Sequence, residues 1–110
     1  MSEYNGWTNY ETWSVALWLD NDQGTNEMLR EWAQEAWDRA VYPGDSPYLT
    51  RGQRATRTLA DQIQEHIEEN NPLASDASMY SDILSANLHE VNWGEIAKGQ
   101  IEEVDKEVEV

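Results

Sequence analysis

Between Met28 and Val41 the apolar residues arrive as adjacent pairs every four positions: Met28-Leu29, Trp32-Ala33, Ala36-Trp37 and Ala40-Val41. Only a turn of about 3.6 residues gathers that spacing onto one side, and a strand would scatter it over both faces. Glu27, Arg30, Glu31, Gln34, Glu35, Asp38 and Arg39 occupy the rest of the circumference. The spacing predicts an amphipathic helix over 25–41. No alternating apolar stretch longer than the valine-spaced C-terminus competes with it, so the chain is expected to be all-α.

Four further helices follow from the same reasoning. Thr8-Asn-Tyr-Glu11 has the form of a capping box, in which a hydroxyl and a carboxylate satisfy free backbone N–H groups reciprocally. Behind it Tyr10, Trp13, Val15, Ala16, Leu17, Trp18 and Leu19 cover almost the whole circumference of a helix over 9–21. A helix apolar nearly all round is expected to be buried. Asn21-Asp-Gln-Gly24 ends it with turn residues. Thr50-Arg-Gly-Gln53 opens a helix over 50–69 with the stripe Ala55, Leu59, Ile63, Ile67, and Asn70-Asn-Pro72 stops it. A fourth helix runs over 78–90 with Met79, Tyr80, Ile83, Leu84, Leu88 and Val91 expected inside. Asn92 caps a fifth, with Trp93, Ile96, Ala97 and Ile101 apolar and Glu95 three residues on. Tyr42-Pro-Gly-Asp-Ser-Pro-Tyr48 reads as a loop. The expectation is a single all-α domain over 1–103, its helices packed around 9–21, and a charged, frayed tail over 104–110.

Much chemistry is excluded by what is missing. The 110 residues contain no cysteine and only two histidines, His66 and His89, which lie on different helices without the spacing of a zinc pair. The serines Ser75, Ser78, Ser81 and Ser85 lack the glycine-flanked elbow of a hydrolase, and no phosphate-cradling glycine loop exists. Asp20, Asp22 and Glu31 match positions 1, 3 and 12 of a calcium loop, but Gly24 stands where a ligand belongs and Thr25 where the sharp turn needs glycine. No enzyme, metal or cofactor is expected. No apolar run reaches membrane-spanning length and the first ten residues do not resemble a signal peptide, so a cytoplasmic location is expected.

Charge is the remaining lead. Twenty-two acids against seven Lys or Arg leave a net charge of −15. Phosphate backbones and anionic lipid repel such a chain, so neither direct nucleic-acid binding nor membrane binding is expected, whereas basic protein surfaces attract it. Acidity that serves only solubility is the plain alternative. On helix 25–41, Glu27, Glu31, Glu35 and Asp38 share a solvent face at spacings that cost a few tenths of a kcal/mol per like-charged pair. Asp20, Asp22, Glu65, Glu68 and Glu69 extend them into a candidate partner-binding array resembling a row of phosphates, and Glu102 and Glu103 offer a further extension. Residues 50–57 invert the pattern with Arg51, Arg54 and Arg57 and no acid. Cations at a helix N-terminus oppose its dipole. They are read as counter-charges for acids on another helix or, alternatively, as an anion patch.

The segment Asn5-Gly-Trp-Thr-Asn-Tyr-Glu-Thr-Trp13, followed by Ala16-Leu-Trp-Leu-Asp-Asn-Asp22, resembles a family of small proteins carried on phages, plasmids and prokaryotic genomes, whose function is uncharacterised. The stretch Leu84–Ile101, with Glu90-Val-Asn-Trp93 and Glu95-Ile-Ala97, resembles the family's C-terminal part. The resemblance implies a mobile-element context and supplies no catalytic residue. Together with the charge, it leads to the expectation of a non-enzymatic nucleic-acid mimic that inhibits a host DNA- or RNA-handling complex. A small regulatory or assembly module is the alternative. Within the motif, Thr8 and Glu11 are expected to cap, Tyr10, Trp13 and Leu17 to pack, and Trp7 to staple the helix start rather than dock a partner.

Overall fold

The computed structural model describes residues 4–41, 48–73 and 75–104. They form five helices: α1 Tyr10–Asn21, α2 Gln23–Arg39, α3 Arg51–Glu69, α4 Met79–His89 and α5 Trp93–Glu102. The fold is all-α, and no helix among the described residues is long and apolar enough to cross a membrane. The prolines of the 42–48 loop and the end of the tail expected to fray, 105–110, lie outside the described residues.

The core is built by α2, α3 and α5. Leu29, Ala33 and Ala36 of α2 meet Ala55, Leu59 and Ile63 of α3 and Ile96, Ala97 and Ile101 of α5, all buried. These are the stripes the spacing predicted, and each large side chain withdrawn from water contributes roughly 1.5–3 kcal/mol. Alanines at 33, 36, 55 and 97 let the helix backbones approach closely, while Leu29, Leu59 and Ile63 fill the space between. Thr50 and Gln53 form both halves of the expected capping box at the start of α3.

Helix α1 departs from expectation. It is not the hub: it lies at the edge against α2 and α5, with only Thr12, Ala16 and Leu19 buried, while Tyr10, Leu17 and Trp18 are exposed. Trp18 shows 73% of its surface to solvent. Apolarity on every side gives no direction to a helix, and the neighbours present suffice to cover one side. A cleft of about 780 Å³ remains between α1, α2 and α5, lined by Trp7, Leu19, Leu29, Arg30 and Ile96 among others. Helix α4 departs in the same way. It contains no buried residue, and Met79, Tyr80 and Ile83 point outward instead of in. Only Leu88 and the following Val91 tie it to the core.

The start of α1 is also built differently from the Thr8–Glu11 box. Asn9 is the cap, and its Oδ1 accepts from the Thr12 N–H at 2.9 Å and the Thr12 hydroxyl at 2.6 Å. Thr12 Oγ1 in turn accepts the Asn92 N–H at 2.8 Å, and Asn9 Nδ2 donates to the Glu90 carbonyl at 2.8 Å. The Asn92 N–H is therefore taken, so Glu95 is free to accept the Thr8 N–H at 3.0 Å rather than completing a box on α5. Asn92 still caps α5 by accepting from the Glu95 N–H, as its position predicted. Ahead of Thr8, Asn5 and Gly6 both have positive φ, 49° and 88°, and reverse the chain so that Tyr4 and Trp7 exchange two backbone bonds of 2.8 Å. This is the Asn-Gly hairpin turn, whose backbone glycine tolerates best. It sets Tyr4 edge-on to Tyr10 and tilted against Trp13, at ring distances of 5.2 and 4.9 Å, and lays Trp7 half-buried on the core.

Candidate acidic interface

Helices α2 and α3 run antiparallel. Arg51 and Arg54, in the first turn of α3, reach the carbonyls of Trp37 and Ala40 at the end of α2, and the Trp32 ring meets His66 edge-on at 5.3 Å near the other end. The last turns of α3 therefore lie beside the first half of α2. Glu65, Glu68 and Glu69 are brought level with Glu27 and Glu31, and the α1–α2 turn adds Asp20 and Asp22 near the same end. All nine carboxylates of the candidate array are solvent-exposed. On α2, at 100° per residue, Glu27, Glu31, Glu35 and Asp38 fall within an arc of about 80° opposite Leu29, Ala33 and Ala36. The turn of the helix thus sets the four in one row, with Glu35 and Asp38 continuing toward the opposite end of the pair.

Several of these carboxylates accept a hydrogen bond from a neutral side chain. Gln23 Nε2 donates to Glu27 at 3.3 Å, Gln34 Nε2 to Asp38 at 3.2 Å and Gln64 Nε2 to Glu68 at 3.0 Å, each one helical turn apart. Asn26 Nδ2 donates to Asp20 at 3.5 Å. Asp22 caps α2, accepting from the Thr25 N–H at 3.0 Å and from the Thr25 hydroxyl. The Thr25 hydroxyl, and after it the Thr25 N–H, hold the Asp22 carboxyl below its ordinary value of 3.8. A lysine one turn away would restrain these carboxylates equally well but would cancel their charge. The glutamine amide restrains the side chain and leaves the charge for another molecule. The glutamine spacing, Gln23/Glu27, Gln34/Asp38 and Gln64/Glu68, is written in the sequence, yet sequence reasoning missed it by weighing only charged pairs.

The arginines serve the fold. Arg54 donates through Nε to the Ala40 carbonyl at 3.1 Å, through Nη1 to the Leu49 carbonyl at 2.6 Å, and through Nη2 to Ala40 again. Arg51 donates through Nε to the Trp37 carbonyl at 3.0 Å and lays its guanidinium 4.1 Å over the Trp37 ring. Both cations therefore sit at the C-terminal end of α2, where the helix dipole favours them and the last carbonyls of a helix lie beyond its regular hydrogen-bond ladder. That resolves their unfavourable place at the start of α3. Their donors go to main-chain carbonyls, not to the acids of another helix that counter-charging would require. Arg57 is turned away from them into an open groove between α3 and α5, together with Lys98, Asp61, Glu95 and Glu102. The three arginines do not converge on one anion site.

His66 is engaged by Trp32, and His89 is exposed in the last turn of α4. Asp22 and Thr25, two of the positions examined for a calcium loop, are instead partners in the cap of α2. No curated protein and no solved structure matches the chain. The stretch Leu84–Ile101 lies outside the residues covered by the family model that matches. That model covers residues 1–35, a span that includes the hairpin turn, α1 and about the first three quarters of α2, so that this segment of the chain is similar to a family of unknown function (DUF7249).

Proposed function

We propose that the protein is a non-enzymatic binding protein whose carboxylate rows on α2 and α3 engage a basic protein surface, in the manner of a nucleic-acid mimic directed at a DNA- or RNA-handling complex. One observation carries this reading: five of the nine exposed carboxylates, Asp20, Asp22, Glu27, Asp38 and Glu68, accept hydrogen bonds from neutral amides or a hydroxyl, so these five are oriented without losing their charge. A flexible acidic chain would lose rotamer and backbone freedom on binding, whereas a helix has already lost it. Attraction between such a surface and a cationic partner accelerates encounter and falls steeply with ionic strength. The phage and plasmid setting implied by the opening motif fits an inhibitor of restriction or CRISPR complexes.

The experiment is capture from a prokaryotic lysate, with the bound proteins identified and the salt raised stepwise. The expected catch is nucleic-acid-binding proteins, lost at high salt and displaced by duplex DNA. Substituting Glu27→Lys, Glu31→Lys and Glu35→Lys together should leave the helical circular dichroism intact and remove the capture. Retention by the triple variant would overturn the mimicry. The exposed Trp18, Met79 and Tyr80 favour a second reading, in which apolar residues recognise the partner in a small assembly module and acidity serves solubility. Salt-insensitive capture would select it.

A further inference from the structure

Of the asparagines in the chain, only Asn5 is followed by glycine. Asn9, Asn26, Asn70, Asn71 and Asn92 each hold a side-chain hydrogen bond, and Asn21 and Asn87 lie within helices. Asn5 instead sits exposed at the tip of the hairpin with φ 49°, its side chain without a hydrogen bond among the described residues. Tyr4 and Trp7 exchange their backbone N–H and carbonyl groups across the turn, which leaves the Gly6 N–H outside the pairing. Nothing comes within 4 Å of where a Cβ on Gly6 would stand. The amide and the nitrogen next to it in the chain are therefore both open to reaction.

We infer that Asn5-Gly6 is a site of spontaneous covalent modification, at which the Asn5 amide cyclises onto the Gly6 nitrogen and is hydrolysed to isoaspartate. Hydroxide removes the Gly6 N–H proton, and the nitrogen adds to Asn5 Cγ. The Cγ–Nδ2 bond breaks and ammonia leaves with a proton from water, closing a five-membered imide. Water then opens the ring. The main-chain carbonyl is the more electrophilic of the two, because its Cα bears the peptide nitrogen. Cleavage there leaves the chain running through the side chain as isoaspartate, whereas cleavage at Cγ leaves aspartate. Glycine permits the attack because no side chain crowds its nitrogen. Ring closure requires the tip to open, and the restraint is weak: two backbone bonds hold it, and a lone two-stranded hairpin is marginal in water.

Isoaspartate lengthens the main chain by one methylene, so the two-residue turn no longer fits between the paired groups of Tyr4 and Trp7. Tyr4 then leaves Tyr10 and Trp13, and Trp7 comes away from the cleft it lines with Leu19, Leu29 and Ile96. The change stops at Thr8, whose N–H is held by Glu95, and at Asn9, whose side-chain amide is held by the Glu90 carbonyl. The modified chain thus opens the cleft between α1, α2 and α5 at its Trp7 wall while the helices stay in place.

The modification is independent of the mimic reading and is tested on the full chain. The folded protein is incubated at neutral and mildly alkaline pH, digested and mapped by mass spectrometry, with isoaspartate measured by enzymatic carboxyl methylation. Loss of the Asn5 form is expected, faster at the higher pH, with isoaspartate the main product and the other asparagines intact. NMR of the aged protein should show the contacts of the Tyr4 ring with Trp13 lost and the Trp7 indole shifted, while the helical circular dichroism is unchanged. A freshly prepared Asn5→Asp variant carries the same added charge without the extra methylene and should keep those contacts. An Asn5 that reacts in urea but persists in the folded protein would overturn the inference, because the hairpin would then protect the amide. So would an isoaspartate-containing chain whose Tyr4 and Trp7 resonances match those of the fresh protein, since the turn would then tolerate the longer backbone.

Discussion

The α2–α3 pair and the α1–α4 flank use similar amounts of apolar sequence to opposite ends. On α2 and α3 the apolar residues occupy one stripe, and the stripe is buried: Leu29, Leu59 and Ile63 are at most 1% exposed. On α1 and α4 they are spread round the helix, and the surplus, Tyr10, Leu17, Trp18, Met79, Tyr80 and Ile83, stays in water. A helix can bury only as much as its neighbours cover. Concentrated apolarity therefore tells where a helix goes, and dispersed apolarity tells only that some of it will be left over for another purpose.

The largest expected effect tests that contrast directly. Leu59→Ala opens a cavity between three helices and should cost about 2–5 kcal/mol, while Ile83→Ala at an exposed site should stay within about 0.5 kcal/mol. Urea denaturation of both variants gives the comparison. A loss at Ile83 rivalling that at Leu59 would mean that α4 packs inward and that the two regions are alike.

Next come the polar anchors, one in each region. Arg54 binds α3 to the end of α2 through the Ala40 carbonyl and also holds the Leu49 carbonyl just ahead of α3, and Thr12, fully buried, binds α1 to the α4–α5 junction. Thr12→Val keeps the shape but leaves the Asn92 N–H without its acceptor, a loss of about 1–3 kcal/mol. Arg54→Ala removes charge-assisted bonds but lets water reach the freed carbonyls, so its loss should fall in the lower half of the same range. Thermal unfolding of the two single variants orders them. Equal stability of wild type and Thr12→Val would show that the junction is held by packing alone.

What the sequence disclosed follows the same division. The stripes of α2, α3 and α5, the caps Thr50 and Asn92, and the exposure of all nine carboxylates were legible, because periodicity and solvation are local properties. The burial of Thr12 was not, since it reads as a polar break in an apolar run and becomes interior only because Asn92, 80 residues later, needs an acceptor. The places of Arg51 and Arg54 were also hidden, because two of the carbonyls they satisfy, those of Trp37 and Ala40, belong to the end of the preceding helix. The helical spacing of Met79, Tyr80 and Ile83 predicts a core face, and no local rule reveals that the described residues leave them mostly exposed. The Asn5-Gly6 turn was legible and unread: the dipeptide alone specifies it.

The smallest effect concerns Asp22, whose cap begins α2 at the edge of the acidic array. The Thr25 hydroxyl, followed by the Thr25 N–H, stabilises the ionised carboxylate, so the folded chain holds it below 3.8 while the unfolded chain does not. The sign follows from which state binds the proton more readily. The unfolded state takes it first, so the contribution is present at pH above the ordinary carboxylate value and is lost as pH falls through the lower, folded value. Because the carboxyl is fully open to solvent, acid unfolding should barely register it, and the direct measurement is the Asp22 side-chain carboxyl resonance followed by NMR between neutral and strongly acidic pH. Its midpoint should lie below 3.8 in the wild type and move upward, without reaching it, in Thr25→Val, where the backbone donor remains. An unmoved midpoint would show that the hydroxyl does not hold the carboxylate. The neutral-donor account of Asp20, Asp22, Glu27, Asp38 and Glu68 would then lose its clearest case.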